Sequence, residues 1–342
     1  MYISKKRIQL PVWGLLLFVF GCQDSEMQID DTYVFYQPAH FPEATYTLEN
    51  NPVTEKGFLL GEKLFNDPIL SRDGSVACSN CHQQGTAFAD SQQHPLSKGV
   101  EDREGIRNAP SLANLAFLPE FFWDGGVTHL DFVPLNAIET EFEMDETIEN
   151  VIVKLNKSET YRALFKDVFD MDEVTSPYML HALSQFMVMM ISDNSRYDQY
   201  LQGEEVLSSE ELAGMELFES KCEGCHAGVL QSDFSYRNNG LDAMPLDSGR
   251  NRITENSQDW GKFRVPSLRN VELTSPYMHD GRFETLEEVL KHYNSGVQIY
   301  ETLDPSLKSG ISISDDERAK IISFLKTLTD RDFTRDPKFF IH

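Results

Sequence analysis

The feature that most constrains this chain is the pentapeptide C-x-x-C-H, which occurs at residues 78–82 and again at residues 222–226. Two thiols at this spacing can each form a thioether bond to a haem vinyl group, and the adjacent histidine can bind the iron. A lone C-x-x-C pair also occurs in zinc sites and redox dithiols, but two copies followed by histidine favour haem. The sequence therefore predicts two covalently attached haem c groups. The residues that would hold them are Cys78, Cys81, His82, Cys222, Cys225 and His226.

The start of the chain resembles a bacterial lipoprotein signal. Basic residues at 5–7 precede an apolar run of about 13 residues, which is shorter than the roughly 20 residues of a membrane span. We expect residues 1–21 to be removed as a signal peptide and Cys22 to become the lipidated first residue. The alternative is an ordinary cleaved signal with an incidental cysteine. Both place the protein outside the cytoplasm. With Cys22 lipidated, the protein is attached to a membrane by the lipid anchor only, facing the periplasm or the cell surface; with an ordinary signal it is released as a soluble protein.

Charge narrows the range of partners. The chain has a formal net charge of −25, which makes nucleic acid an unsuitable partner. An acidic surface could steer a basic electron donor, although it also serves solubility alone.

Apolar periodicity predicts a mainly α fold, because few stretches alternate with period two. The predicted helices cover residues 54–65, 147–155, 160–169, 178–191, Ser209 up to the second pentapeptide, and 314–327. The order helix, turn, C-x-x-C-H occurs twice, and 342 residues can hold two ordinary domains. We therefore expect two tandem cytochrome c-like domains, each with one haem. The predicted divisions are a signal at 1–21, a tether and arm at 22–53, an N-terminal domain at 54–203 and a C-terminal domain at 204–342.

Seven short segments form a distinctive set across residues 54–330. They are GEKLF at 61–65, LSRDG at 70–74, RNAPS at 107–111, FWDG at 122–125, EM at 143–144, VPSLRN at 265–270 and TSPYMHDG at 274–281. Together with the pentapeptides they resemble the bacterial di-haem cytochrome c peroxidase family, which includes the MauG-like enzymes. The resemblance implies reduction of hydrogen peroxide at the N-terminal haem. It also implies that the C-terminal haem receives electrons from a donor cytochrome or cupredoxin and passes them on.

The resemblance assigns roles to individual residues. Glu143 matches the glutamate that moves a proton between the peroxide oxygens, although its acidic surroundings at 139–149 alone would suggest a solvated face. Trp123 matches a tryptophan between the haems, although a core aromatic residue is the alternative. Matches to a calcium site between the domains are Asn108, Thr274 and Pro276, which also suit ordinary turns.

Three departures from the family pattern concern the first haem. The histidine that caps the iron in many members is replaced by Val100, so we expect an open iron, with His94 as a substitute cap. Val133 replaces a glutamine and Gly126 replaces an arginine. These changes make the pocket less polar.

The second ligand of the C-terminal iron is the least determined feature. The methionine of typical members is replaced by Tyr293, as in the MauG-like branch, and His292 and Met278 are rival ligands. Three methionines at 187, 189 and 190 are better explained as core residues.

Three functions follow in order of preference. The first is a peroxidase, and the second is a MauG-like oxidase that uses peroxide to oxidise a partner protein or small reductant. The third is a non-catalytic electron-transfer protein. A homodimer is left open.

Overall fold

The computed structural model describes residues 33–90 and 94–340, so the signal segment and Cys22 lie outside the described residues. The fold is mainly α-helical, as predicted. The α-helices are α1 Glu55–Asn66, α2 Cys78–Cys81, α3 Val133–Glu139, α4 Ile148–Lys157, α5 Glu159–Phe169, α6 Ser176–Met187, α7 Arg196–Leu201, α8 Ser209–Lys221, α9 Asn251–Thr254, α10 Leu286–Lys291 and α11 Asp315–Lys326. No helix in these ranges is long and apolar enough to cross a membrane.

Short elements connect the helices. Strands β1 (Tyr236–Arg237) and β2 (Phe263–Arg264) pair antiparallel, with Tyr236 opposite Arg264. A π-helical turn, His292–Gly296, continues α10. The 3₁₀ turns are Pro68–Leu70, Gln84–Thr86, Val100–Asp102, Leu115–Phe117, Leu130–Phe132, Ser257–Asp259, Val271–Leu273, Pro305–Leu307, Phe333–Arg335 and Pro337–Phe339.

Helix α1 packs against α6 ahead of the first pentapeptide. Thr54 caps α1 by accepting a hydrogen bond from the Gly57 amide. At Gly61 a Cβ atom would lie 2.0 Å from the carbonyl oxygen of Ala182, so only glycine allows the two helices to approach this closely. This pair forms one wall of the N-terminal half.

Helix α8 packs against α11 in the same way ahead of the second pentapeptide. A Cβ atom at Gly214 would lie 2.0 Å from the carbonyl oxygen of Lys320. The cap of α8 is Ser208 rather than the predicted Ser209: its hydroxyl accepts from the Glu211 amide, and the Glu211 carboxylate accepts from the Ser208 amide. Sequence reasoning predicts the cap one residue too late, because both Ser208 and Ser209 are residues that suit an N-cap position.

Helix α6 is shorter than predicted, since it ends at Met187 rather than near residue 191. Asn114 explains the difference. The backbone amide of Asn114 donates to the Met190 carbonyl at 2.7 Å, and its side-chain oxygen accepts from the Ser192 backbone amide at 2.8 Å. These bonds hold the backbone in an extended path that a helix could not follow.

Two apolar clusters form the interior. The larger draws on residues between 41 and 191, and the smaller on residues between 218 and 328. The larger cluster also contains Phe333 and Phe339, which follow α11. Phe339 lies 5.5 Å from Phe88 and 6.1 Å from Phe58, measured between ring centroids. The end of the described chain therefore packs with the N-terminal half, although the predicted division at 203/204 assigns it to the C-terminal domain.

Candidate active site

The first pentapeptide begins as the single turn α2 and ends at His82. The Nδ1 atom of His82 lies 2.8 Å from the carbonyl oxygen of Phe88. A carbonyl can only accept, so Nδ1 carries the proton and Nε2 keeps a free lone pair. Burial also lowers the pKa of His82, which favours the neutral ring. This is the form of histidine that binds a metal.

A cavity of about 570 Å³ opens beside this turn and is lined by Cys78, Cys81 and His82. Its volume falls within the range of about 300–1,000 Å³ that is usual for cofactor sites. Most of the wall is apolar, with Leu112 and Leu183 among the contributors. Two thiols, a histidine with a free Nε2 and an apolar wall suit a covalently held haem.

Glu143 lines the same cavity. Its amide donates to the Thr140 carbonyl at 3.0 Å, and its carbonyl accepts from the Val100 amide at 2.8 Å, so its backbone is fixed. No side chain in the described ranges forms a hydrogen bond or ion pair with its carboxyl group. Burial alone raises the pKa of Glu143 to about 7. A carboxyl group with this pKa can both accept and donate a proton near neutral pH.

The residues that depart from the family pattern at the first haem differ in whether they line this cavity. Val100 is fully buried and does not line the cavity, whereas Val133 and Gly126 do. His94 lies outside the cavity wall, and its Nδ1 atom is 3.3 Å from the carboxylate of Asp90. Of the described histidines, only His82 lines this cavity.

The second pentapeptide follows α8 and repeats the arrangement of the first. The Nδ1 atom of His226 lies 3.1 Å from the Gln231 carbonyl oxygen, which again leaves Nε2 free. Cys222, Cys225 and His226 line a second cavity of about 370 Å³. This set also fits a covalently held haem.

The three rival ligands of the second iron are separated by the structure. Tyr293 and Met278 line the second cavity, and burial raises the pKa of Tyr293 to about 12. The Met278 sulfur accepts a hydrogen bond from the Asn239 amide at 3.3 Å. His292 does not line the cavity, and its Nε2 atom lies 3.0 Å from the Asn239 carbonyl oxygen. Its ring is therefore engaged with the backbone, which leaves Tyr293 and Met278 as the candidates.

Trp123 lines both cavities. Its indole N–H donates to the Asn108 carbonyl at 2.9 Å, and its own carbonyl accepts from the Arg264 amide at 2.8 Å. Asn108 and Arg264 also line both cavities. Sequence reasoning missed Arg264, whose only signal is its place immediately before the VPSLRN segment.

The residues predicted to bind calcium all line the second cavity: Asn108, Thr274 and Pro276. The side-chain nitrogen of Asn108 donates to the carbonyl oxygens of His94 and Pro95. No group of three or more histidine, cysteine or acidic side chains that could hold a metal ion occurs in the described ranges. A calcium ion here would rely on neutral oxygen atoms.

Comparison with known proteins agrees with this geometry. Residues 55–206 match the family model described as di-haem cytochrome c peroxidase. The chain is 34% identical to the cytochrome c551 peroxidase of Nitrosomonas europaea, over 84% of this chain and 83% of that protein. It is 31% identical to the methylamine utilization protein MauG of Methylophilus methylotrophus, over 82% of this chain and 84% of the relative.

A solved structure is similar over most of its length. It is a MauG-like protein associated with microbial copper homeostasis, with a TM-score of 0.82 and 31% identity, covering 89% of this chain and 98% of the other. The two C-x-x-C-H turns and the two cavities agree with the similarity to both the peroxidase and the MauG relatives. The chain therefore belongs to the di-haem cytochrome c peroxidase family, to which MauG-like enzymes are related, and is a peroxidase-type oxidoreductase.

Proposed function

We propose that this protein reduces hydrogen peroxide to water in the cavity that contains His82 and Glu143, with electrons relayed from the cavity that contains His226. The observation that carries the proposal is Glu143, an unpartnered carboxyl group with a pKa of about 7 on the wall of the His82 cavity. A carboxyl group on a fully solvated face would have an ordinary pKa.

The reaction is H₂O₂ + 2H⁺ + 2e⁻ → 2H₂O. A haem held by Cys78, Cys81 and His82 would supply the iron that binds peroxide and delivers electrons. The Glu143 carboxylate accepts the proton of the inner peroxide oxygen and returns it to the outer oxygen, which leaves as water. Its backbone bonds to Thr140 and Val100 fix the main chain from which the carboxyl group extends.

Electron transfer between the cavities uses Trp123, because its side chain lines both of them. Its hydrogen bond to the Asn108 carbonyl fixes the plane of the indole ring. The backbone bond from Arg264 fixes the residue from the other side.

The test is peroxide turnover by purified holoprotein carrying Glu143→Gln, measured by stopped flow with a reduced cytochrome or cupredoxin as donor. We expect kcat/KM for peroxide to fall by about 10²–10⁴-fold, the usual contribution of a general acid–base group. Glu141→Gln is the matched control, since Glu141 also lines the cavity but is exposed. Equal turnover in all three proteins would reject the role of Glu143, and the absence of turnover in all three would favour a non-catalytic electron-transfer protein.

A second candidate is a MauG-like oxidase that uses peroxide to withdraw electrons from a partner protein or small reductant. It is favoured by Tyr293, which lines the second cavity with His226, and by the MauG relatives. The copper association of the similar structure makes a copper-binding protein a suitable redox partner to test. A two-electron-oxidised state that persists after peroxide is added without reductant would support the oxidase, and rapid bleaching would oppose it.

Two further assignments complete the proposal. Lipidation at Cys22 would hold the protein on the outer side of a membrane; metabolic labelling with a fatty acid, lost in Cys22→Ser, tests this. Calcium bound by Asn108, Thr274 and Pro276 would join segments from both halves. Metal analysis of holoprotein before and after chelation tests that assignment.

A further inference from the structure

Arg264, in β2, occupies an unusual position. Its side chain is buried, with 8% of the residue exposed, and it lines both cavities. Its Nε atom donates to the Phe122 carbonyl at 3.3 Å. In the described ranges, neither Nη atom of the guanidinium has a hydrogen-bond acceptor or a carboxylate partner.

A buried guanidinium without a counter-ion is strongly unfavourable, because arginine stays charged in proteins. No carboxylate in the described ranges forms an ion pair with Arg264, and the acidic residues Glu120 and Asp124 have other partners. Glu120 binds Arg250 at 3.2 Å and the Tyr236 hydroxyl. Asp124 binds Arg107 and Arg252, both at 2.6 Å. The fold therefore supplies the cation of an ion pair without supplying its anion.

The charges around the second cavity also suit an anionic ligand. The chain has 55 acidic and 30 basic residues, yet no aspartate or glutamate is among the described residues that line this cavity. Its cationic side chains are Lys221, Arg237, Arg264 and Arg269. The other three have carboxylate partners: Lys221 with Glu317 at 3.4 Å, Arg237 with Asp304 at 2.8 Å, and Arg269 with Asp198 at 2.6 Å. Arg264 alone in this set offers free donors to a ligand.

We propose that Arg264 is the anchor for the carboxylate side chains of the two haem groups, and that one guanidinium serves both cavities. The planar fork of arginine can hold a carboxylate on each free Nη atom or one carboxylate with both. The inference rests on the proposed function only in requiring that both cavities hold haem. A positive charge shared at this boundary stabilises added electron density on either side, since buried charges are poorly screened.

The experiment is spectroelectrochemical titration of holoprotein without peroxide, comparing Arg264→Gln and Arg264→Lys with the parent protein. Haem loading is first checked by mass, because the thioether bonds do not depend on Arg264. We expect both midpoint potentials to fall in Arg264→Gln and to be largely restored in Arg264→Lys, which keeps the charge. The resonance Raman bending band of the haem propionates shifts in both variants, because neither can form the bidentate fork.

Arg196→Gln is the control, since Arg196 is paired with Glu211 at 2.7 Å and lines neither cavity. Its potentials stay at the parent values. Fully loaded Arg264→Gln with unchanged potentials would overturn the proposal. A shift in midpoint potential that appears only when phosphate or chloride is added would also overturn the proposal. The anion bound by Arg264 would then be a free ion and not a carboxylate of the haem. If the glutamine variant does not fold, the Raman shift in Arg264→Lys decides the matter. Loss of peroxide turnover plays no part in these readouts, so the proposed reaction can fail while this assignment stands.

Discussion

The two cavities share one construction and differ in what lines them. Each begins with a glycine-mediated helix pair, a C-x-x-C-H turn and a histidine whose Nδ1 atom is held by a backbone carbonyl. The first cavity adds the carboxyl group of Glu143, whereas the second has no acidic side chain among its described lining residues and presents Tyr293 and Met278 instead. Among the described residues, acidic side chains therefore line only the first of the two cavities. The difference teaches that duplicated haem sites can diverge through a few wall residues while their frames stay alike.

The strongest way to break this comparison is to remove the proton-transfer group and follow pH. With Glu143 as base, kcat/KM for peroxide falls as pH drops through about 7, because the protonated carboxyl group cannot accept a proton. In Glu143→Gln the rate is about 10²–10⁴-fold lower and this pH dependence disappears. Steady-state kinetics between pH 5 and 9 (a range of about two units on each side) measure both effects. A sloping profile that survives in the glutamine variant would assign the titration to another group.

The same residue has a smaller, opposite effect on stability. Burial raises the pKa of Glu143 above its unfolded value of about 4.3, so the folded state binds more protons between these two values. The contribution of Glu143 to stability is therefore greatest below the unfolded pKa and falls as pH rises to about 7. Glu143→Gln removes this loss and stabilises the protein at pH 8 by up to about 3 kcal/mol. Denaturant unfolding at pH 4.5 and pH 8 checks it, and no gain at pH 8 contradicts it.

The helix pairs sharpen the comparison at the level of packing. Gly61→Ala and Gly214→Ala each place a Cβ atom 2.0 Å from a facing carbonyl oxygen. Each substitution should cost about 1–3 kcal/mol through overpacking. The spectral effect should be local: Gly61→Ala perturbs the His82 haem and Gly214→Ala the His226 haem. Unfolding curves with resolved haem spectra measure this, and equal disturbance of both haems would show that the two frames are not independent.

The smallest effect concerns the helix caps. Thr54→Ala and Ser208→Ala each remove a side-chain acceptor for a first-turn amide, at Gly57 and Glu211. Each should lower the free energy of unfolding by about 1 kcal/mol. Thr54→Ala should show the larger loss, because the Thr54 hydroxyl also donates to the Gln185 side-chain oxygen at 3.2 Å. In Ser208→Ala the backbone amide that donates to the Glu211 carboxylate is retained. Thermal unfolding of both variants with Ser209→Ala as the control tests the order.

Much of the frame could be predicted from the sequence because its signals are local. Each pentapeptide lies within five residues, and the apolar periodicity that predicts a mainly helical fold is contained within single helices. The end of α6 could not be predicted, since it depends on Asn114, which is distant in sequence. Arg264 could not be predicted for the same reason. An unpaired guanidinium can be recognised only when the ion pairs around it are known, and these join residues that are distant in sequence. Of the rival ligands at the second cavity, His292 differs from Tyr293 only by which face of one turn it occupies.

The segment after α11 has a consequence for how the protein matures. Phe333 and Phe339 pack on Phe88, whose carbonyl orients His82, and Gln84 donates to the carbonyl oxygens of Phe333 and Asp336. During synthesis, residues 333–339 emerge long after the first pentapeptide. The turn that orients His82 is therefore supported only once nearly the whole described chain has been made. A prematurely terminated chain could carry both haem attachment sequences and still lack the support that orients the first histidine.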